Sequence, residues 1–206
     1  DAMDYPTMPI KYYIARGTGT DDAFENWSME NCINTNAQAT METTIATALQ
    51  HVSDTIGITF EEVNAITNGV WIFGAIDNET ALFGSNANPV SNCSKKCLVT
   101  QIGTYLGTFT NFWWANVIHL GRCYNKLGSV IHEIGHKLGM AHEHTRDDRD
   151  NYLDVNINGI NESWRSQWQF SSGKQRRQIG DFDMCSIQMY PIQDDAFGPP
   201  GTIQLK

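Results

Sequence analysis

A chain of 206 residues is long enough to bury one sizeable core and too short to divide into two independent domains of ordinary size. Its formal charge of -9 and pI near 5.0 exclude a phosphate-backbone partner such as nucleic acid, which needs clustered Lys and Arg, and the one basic run, "GKQRRQ", reads as a solvated loop. No stretch approaches the roughly 20 apolar residues that span a bilayer, and "DAMDYPTMPI" lacks a signal-peptide layout, so the chain is expected to be soluble and already trimmed.

Along the chain, "MPIKYYIA" is β-rich and predicts a first strand. The polar stretch "RGTGTDDAFENWSMENCINTNAQA" then predicts a long loop. From Met41, the spacing of Ile45, Leu49, Val52 and Ile56 marks one face of a helix, which Gly57 ends. "ITFEEV" and "GVWIFGAI" follow as strands about the turn "NAITNG", and residues 77–97, rich in Asn, Ser and Gly, predict a second long loop. "CLVTQIG" and "NVIHL" are two more short strands. The tryptophans of "NFWWAN" read as packing residues. Beyond Tyr152 the regular signals fade, with "ESWRSQWQF" the one further helix expected.

Five cysteines, with Cys93 and Cys97 four apart, point to disulfides and an oxidising compartment, and the odd count leaves one thiol unpaired. A cysteine metal site is the competing reading, but no second CxxC-like pair completes it.

Histidines supply the sharpest signal. Of six in the chain, four fall between His132 and His144. Drawn as a helix, "LGSVIHEIGHKLG" gathers Leu127, Ile131, Ile134 and Leu138 into an apolar stripe and sets His132 and His136 together on roughly the opposite face. Side chains at i and i+4 stack, so both imidazoles can reach one ion. Gly139 is suited to end the helix and turn the chain, bringing His142 back as a third ligand. Three histidines leave one position of a tetrahedral Zn²⁺ open, the mark of a catalytic site, and Glu133 is placed to take a proton from water activated there. The bland alternative is a set of ordinary surface residues. Five specified residues in eleven positions, three of them His, arise by chance on the order of once in ten million starting positions.

"HEIGHKLGMAH" fits the pattern HExxHxxGxxH of the metzincins, and its continuation "EHTRDDRDNY" resembles the astacin family of zinc endopeptidases. Thinner likenesses run over most of the chain: "MPIKYY" resembles the family's first strand, "GVWIF" an inner strand, "CLVTQIG" the cysteine-bearing strand, "NVIHL" the edge strand and "CSIQMY" the Met-turn. The resemblance implies an α+β, metzincin-like fold in a single catalytic domain, residues 1–206. Its upper lobe, about 1–139, holds a mixed five-stranded sheet with two long helices. Its lower lobe, about 140–206, is mostly irregular, and one catalytic zinc lies in the cleft between.

The resemblance further implies a secreted, extracellular, monomeric endopeptidase that binds extended protein or peptide substrates along its edge strand and has neither nucleic acid nor membrane as partner. His132, His136 and His142 are its metal ligands, and Glu133 and Tyr190 its catalytic residues, Tyr190 as weak ligand and oxyanion stabiliser. Aligning Ser186, Ile187 and Tyr190 with the family's S-I-M-H-Y sets Gln188 where the Met-turn methionine belongs. The family's usual bridge maps to Cys97 and Cys123, with a loop whose closure is worth roughly 3–4 kcal/mol. Gly57 replaces the first cysteine of a second bridge. Cys32 with Cys93 is a further candidate pair, leaving Cys185 as a free thiol expected to be buried. In the family a new N-terminus lies near the glutamate after the third histidine, here Glu143, but the segment before Pro9 looks too short to bring Asp1 there. No F-x-G-D segment stands upstream, as in a mature form. Asn26, Asn78, Asn92 and Asn161 head glycosylation sequons. A zinc-containing module that grips peptides without cutting them is the alternative, and another metzincin branch a third reading.

Overall fold

The computed structural model describes residues 7–16, 35–75, 97–106, 113–170, 178–192 and 194–206. The chain divides into two compact units, residues 1–140 and 141–206. The expected Cys32–Cys93 pair, Asp1, and the sequons at Asn26, Asn78 and Asn92 lie outside the described residues, as does nearly all of the loop predicted over 77–97.

The first unit is built on a five-stranded sheet of β1 (Ile10–Ile14), β2 (Phe60–Glu62), β3 (Trp71–Gly74), β4 (Leu98–Val99) and β5 (Val117–His119), in the order β2-β1-β3-β5-β4. β1 runs parallel to β2 and β3, and β3 parallel to β5, whereas β4 is antiparallel to β5, with Leu98 opposite His119 and Val99 opposite Ile118. β3 and β5 are buried along their whole length, as expected of inner parallel strands covered on both faces. This corrects the assignment of the edge: "NVIHL" forms the inner strand β5, and the strand that ends the sheet is β4, from "CLVTQIG". Both segments are short and apolar, and their order in the sheet rests on tertiary pairing that neither sequence encodes.

Helix α1 (Thr35–Ile56) starts six residues ahead of the expected Met41, within the segment read as loop. Ala37 packs against the core and Gln38 donates to Glu42 one turn on, so a polar-looking stretch is an amphipathic first turn and a half. Met41, Ile45, Ala48, Leu49 and Val52 pack with Ile10, Ile14, Trp71, Phe73 and Ile118, and with Val130 and Ile134 of helix α2 (Leu127–Lys137). Ile56, assigned to the same stripe, is exposed because the helix has run past the core there. The Cys97–Cys123 disulfide is present, tying the start of β4 to the turn ahead of α2.

The second unit is mostly turns around Leu153, Ile160, Trp168, Phe182, Phe197 and Ile203. It also holds an unanticipated antiparallel pair, β6 (Leu153–Val155) with β7 (Ile203–Leu205), and its helix α3 is a single turn, Glu162–Arg165, continued by a 3-10 turn over Ser166–Trp168. Three-residue strands this far apart carry too little alternation to be read from sequence. Cys185 forms no disulfide among the described residues, and it is exposed rather than buried, because it lies on a surface turn where the Asp183 carboxylate accepts its backbone N–H at 2.8 Å.

Truncating Ile45→Ala removes a fully buried side chain from between α1 and the sheet, and denaturant unfolding is expected to show a loss of about 2–5 kcal/mol. Ile56→Ala, on the exposed end of the same stripe, is expected to change stability by no more than about 0.5 kcal/mol.

Candidate metal centre

Helix α2 does not bury the apolar stripe that its sequence suggests. Val130, Glu133, Ile134 and Lys137 form the buried face, while Leu127 is 40% exposed and Ile131 and Leu138 are only partly covered. The helix is thus turned by about one position, because two charged side chains that a hydrophobic pattern scores as solvent-facing are accommodated inside. Lys137 sends its ammonium to the carbonyls of Gly103 at 2.6 Å, Ala115 at 3.0 Å and Gln101 at 3.3 Å, and to Asn116 Oδ1 at 3.1 Å. Burial alone pushes its pKa down to about 7, whereas these oxygens favour the protonated form.

The end of α2 follows from Gly139, whose φ is +97°. The N–H of Gly139 donates to the His136 carbonyl at 3.0 Å and that of Met140 to Gly135 at 3.0 Å, a Schellman closure. The closure also delivers the Met140 carbonyl to His136 Nδ1, at 2.7 Å. A carbonyl can only accept, so Nδ1 carries the proton and Nε2 keeps its lone pair for a metal.

Beyond the turn the chain runs directly to His142, and one ring nitrogen from each of His132, His136 and His142 lies within 4.8 Å of the others, a group that could hold a metal ion. The cluster is local to an eleven-residue segment. The rings of His132 and His136 stand edge to face, 4.5 Å between centroids. A donor set of three imidazoles, one already oriented through its far nitrogen, suits a borderline-soft divalent ion such as zinc.

Glu133, next to the first of these histidines, is 6% exposed, and burial raises its pKa from the usual carboxylate range to about 8. A backbone hydrogen bond from Val99 of the edge strand and the charge of Arg122 oppose that shift. A divalent cation at the histidines acts in the same direction as Arg122, favouring the carboxylate.

Several residues of the second unit pack around His142. His144, fully buried, stacks on it at 5.0 Å and sends Nε2–H to the Gln167 carbonyl at 2.9 Å. Tyr190 sets its ring 4.3 Å from those of both His142 and His144, and stacks on Phe197 at 5.4 Å. Gln188 is buried, and its carbonyl accepts the Glu143 N–H at 3.0 Å, so the turn carrying Gln188 is pinned to the residue after His142. The Glu143 carboxylate, the site suggested for a processed N-terminus, meets Arg146 at 3.4 Å and accepts the Asp183 N–H at 2.9 Å. Neither Lys137 nor the stacking role of His144 was legible beforehand. A lysine inside the motif was the one available signal.

A family model described as Astacin, a peptidase family, matches residues 94–203, just over half of the chain. The chain is 37% identical over 75 residues to astacin-like metalloprotease toxin 4 of Loxosceles laeta, a stretch that is 36% of this chain and 66% of that protein. It is 45% identical over 65 residues to nematocyst expressed protein 6 of Nematostella vectensis, 31% of this chain and 23% of that one. The chain thus spans less than two thirds of the length of either relative. Its fold resembles that of high choriolytic enzyme 1, a hatching enzyme zinc-protease from Oryzias latipes, with a TM-score of 0.60 at 17% identity, covering 95% of this chain and 76% of that one.

A β-carbon at residue 139 would meet no atom within 4 Å, so Gly139→Ala is expected to cost only the left-handed backbone penalty, about 1–2 kcal/mol, read by denaturant unfolding. His136→Ala is expected to weaken zinc binding by more than the roughly 10–100-fold typical of losing an outer-sphere partner, read by chelator competition.

Proposed function

The chain belongs to the astacin family of peptidases, and from that premise we propose that it is a secreted zinc endopeptidase, acting as a monomer on internal bonds of extended protein or peptide substrates. The observation that carries this reading is a buried carboxyl group, Glu133, adjacent in sequence to the first of three imidazoles whose nitrogens converge within 4.8 Å. A protein that only gripped peptides would have no use for a buried proton acceptor there.

In this reading His132, His136 and His142 hold one zinc ion. Zinc supplies Lewis-acid polarisation of water and of the scissile carbonyl near neutral pH. Glu133 takes the proton from the attacking water and later delivers it to the departing amine, a shuttle suited to a carboxyl group whose affinity for protons has been raised by burial. Tyr190, anchored by Phe197 and lying beside His142, directs its hydroxyl to the oxyanion that develops on the carbonyl. The substrate backbone is received as an added strand on β4, the strand that ends the sheet, so that its hydrogen bonds are independent of side-chain identity. Among the described residues no helix is long and apolar enough to cross a membrane, and the net charge of -9 leaves no footprint for nucleic acid.

Glu133→Ala is expected to lower turnover of a peptide substrate by about 10² to 10⁴ while zinc content by metal analysis stays unchanged. Undiminished cleavage by that variant would remove Glu133 from the mechanism. Tyr190→Phe is expected to reduce kcat by roughly tenfold or more with little change in KM, since its hydrogen bond forms as the oxyanion develops.

A further inference from the structure

Helix α2 carries a second buried charged residue for which the peptidase mechanism has no use. Lys137 is wholly inaccessible, one residue after His136, and its ammonium is ringed by Gly103, Ala115 and Gln101 carbonyls and by Asn116 Oδ1. These acceptors come from two stretches, the segment that continues from β4 and the 3-10 turn leading into β5. Other bonds hold the first stretch in the same place. Gly103 N–H donates to the His136 carbonyl at 2.8 Å, so the Gly103 residue is gripped at its nitrogen by His136 and at its oxygen by Lys137. Asn116 closes a two-way bridge with Tyr105, donating from Nδ2 and accepting at Oδ1, each at 2.8 Å. Thr104 Oγ1 accepts from Trp71 Nε1 at 2.8 Å.

We propose that Lys137 is a positioning residue for substrate: its ammonium gathers the carbonyls of residues 101, 103 and 115 and so fixes the continuation of the edge strand against the metal-binding helix, setting the distance between a peptide docked on β4 and the histidines. This rests on the peptidase reading and on strand addition at β4. Backbone oxygens turned inward to one cation are the observation behind it, since an apolar residue large enough to fill the space at 137 would bury them without this donor. Long side-chain reach combined with a compact charge is what a lysine supplies and a hydrophobic residue does not.

Lys137→Ala, which opens space for water to solvate the same oxygens, provides the test, in the zinc-loaded full chain. Amide hydrogen exchange at Gly103 and Tyr105 is expected to quicken by about tenfold or more, while amides in the middle of α1 keep their protection. With equal zinc content, a long peptide that reaches along β4 is expected to lose about tenfold in kcat/KM, mainly through KM, whereas a short blocked peptide confined to the scissile bond changes by less than about twofold. Equal losses on both peptides, or unchanged exchange at residues 103 and 105, would overturn the proposal. If Lys137→Ala does not fold, Asn116→Ala, which keeps the lysine and releases Tyr105, is expected to give the same split, and equal losses there count against it likewise. A wild-type chain that cleaves neither peptide overturns the peptidase reading first, with the exchange data still reporting separately on the clamp.

Discussion

For His132, His136 and His142, so close in sequence, to share one ion the chain must reverse soon after the second, and here Gly139 makes that reversal with a φ of +97°. The same closure that satisfies the last carbonyls of α2 delivers the Met140 oxygen to His136 Nδ1, so one turn ends the helix, fixes a tautomer and starts the path to His142. A right-handed continuation would carry His142 onward along the helix axis, about one and two-thirds turns beyond His136.

The buried face of α2 shows a second constraint. Glu133 and Lys137 are neighbours on one helix face and both are buried, yet their surroundings differ in kind. Four oxygens surround the lysine, which is what an ammonium needs to remain charged away from water. For the glutamate a backbone hydrogen bond from Val99 and the charge of Arg122 favour the carboxylate, but burial outweighs them and lifts its pKa to about 8. One group is surrounded by acceptors that favour its charge, and the other is the group that the proposed mechanism uses to exchange a proton.

Legibility followed the length over which a signal repeats. The histidine cluster could be read because helical spacing, a terminating glycine and rare residues coincide within eleven positions, and the Cys97–Cys123 bridge followed from family resemblance. The parallel strands announced themselves by apolar runs such as "WIFG". Partner choice did not: β4 and β5 are both short apolar segments, and which of them ends the sheet depends on pairing across distant sequence. Helix α1 began early because "TNAQAT" looks like loop until Ala37 finds the core. Lys137 stayed hidden for the same reason, since a lysine on a helix is presumed to face water until four carbonyl and amide oxygens are seen around it. Cys185 lies exposed on a polar turn, where the general tendency of free thiols to be buried gave no guidance.

Cleavage of a denatured protein mixture, with and without a zinc chelator and alongside a metal assay of the same sample, tests the central claim most directly. The account predicts internal cuts that stop with chelation, return with added zinc and accompany one zinc per chain. One zinc per chain with no cleavage under any condition would contradict it, leaving a metal-bound peptide-binding module in place of the peptidase.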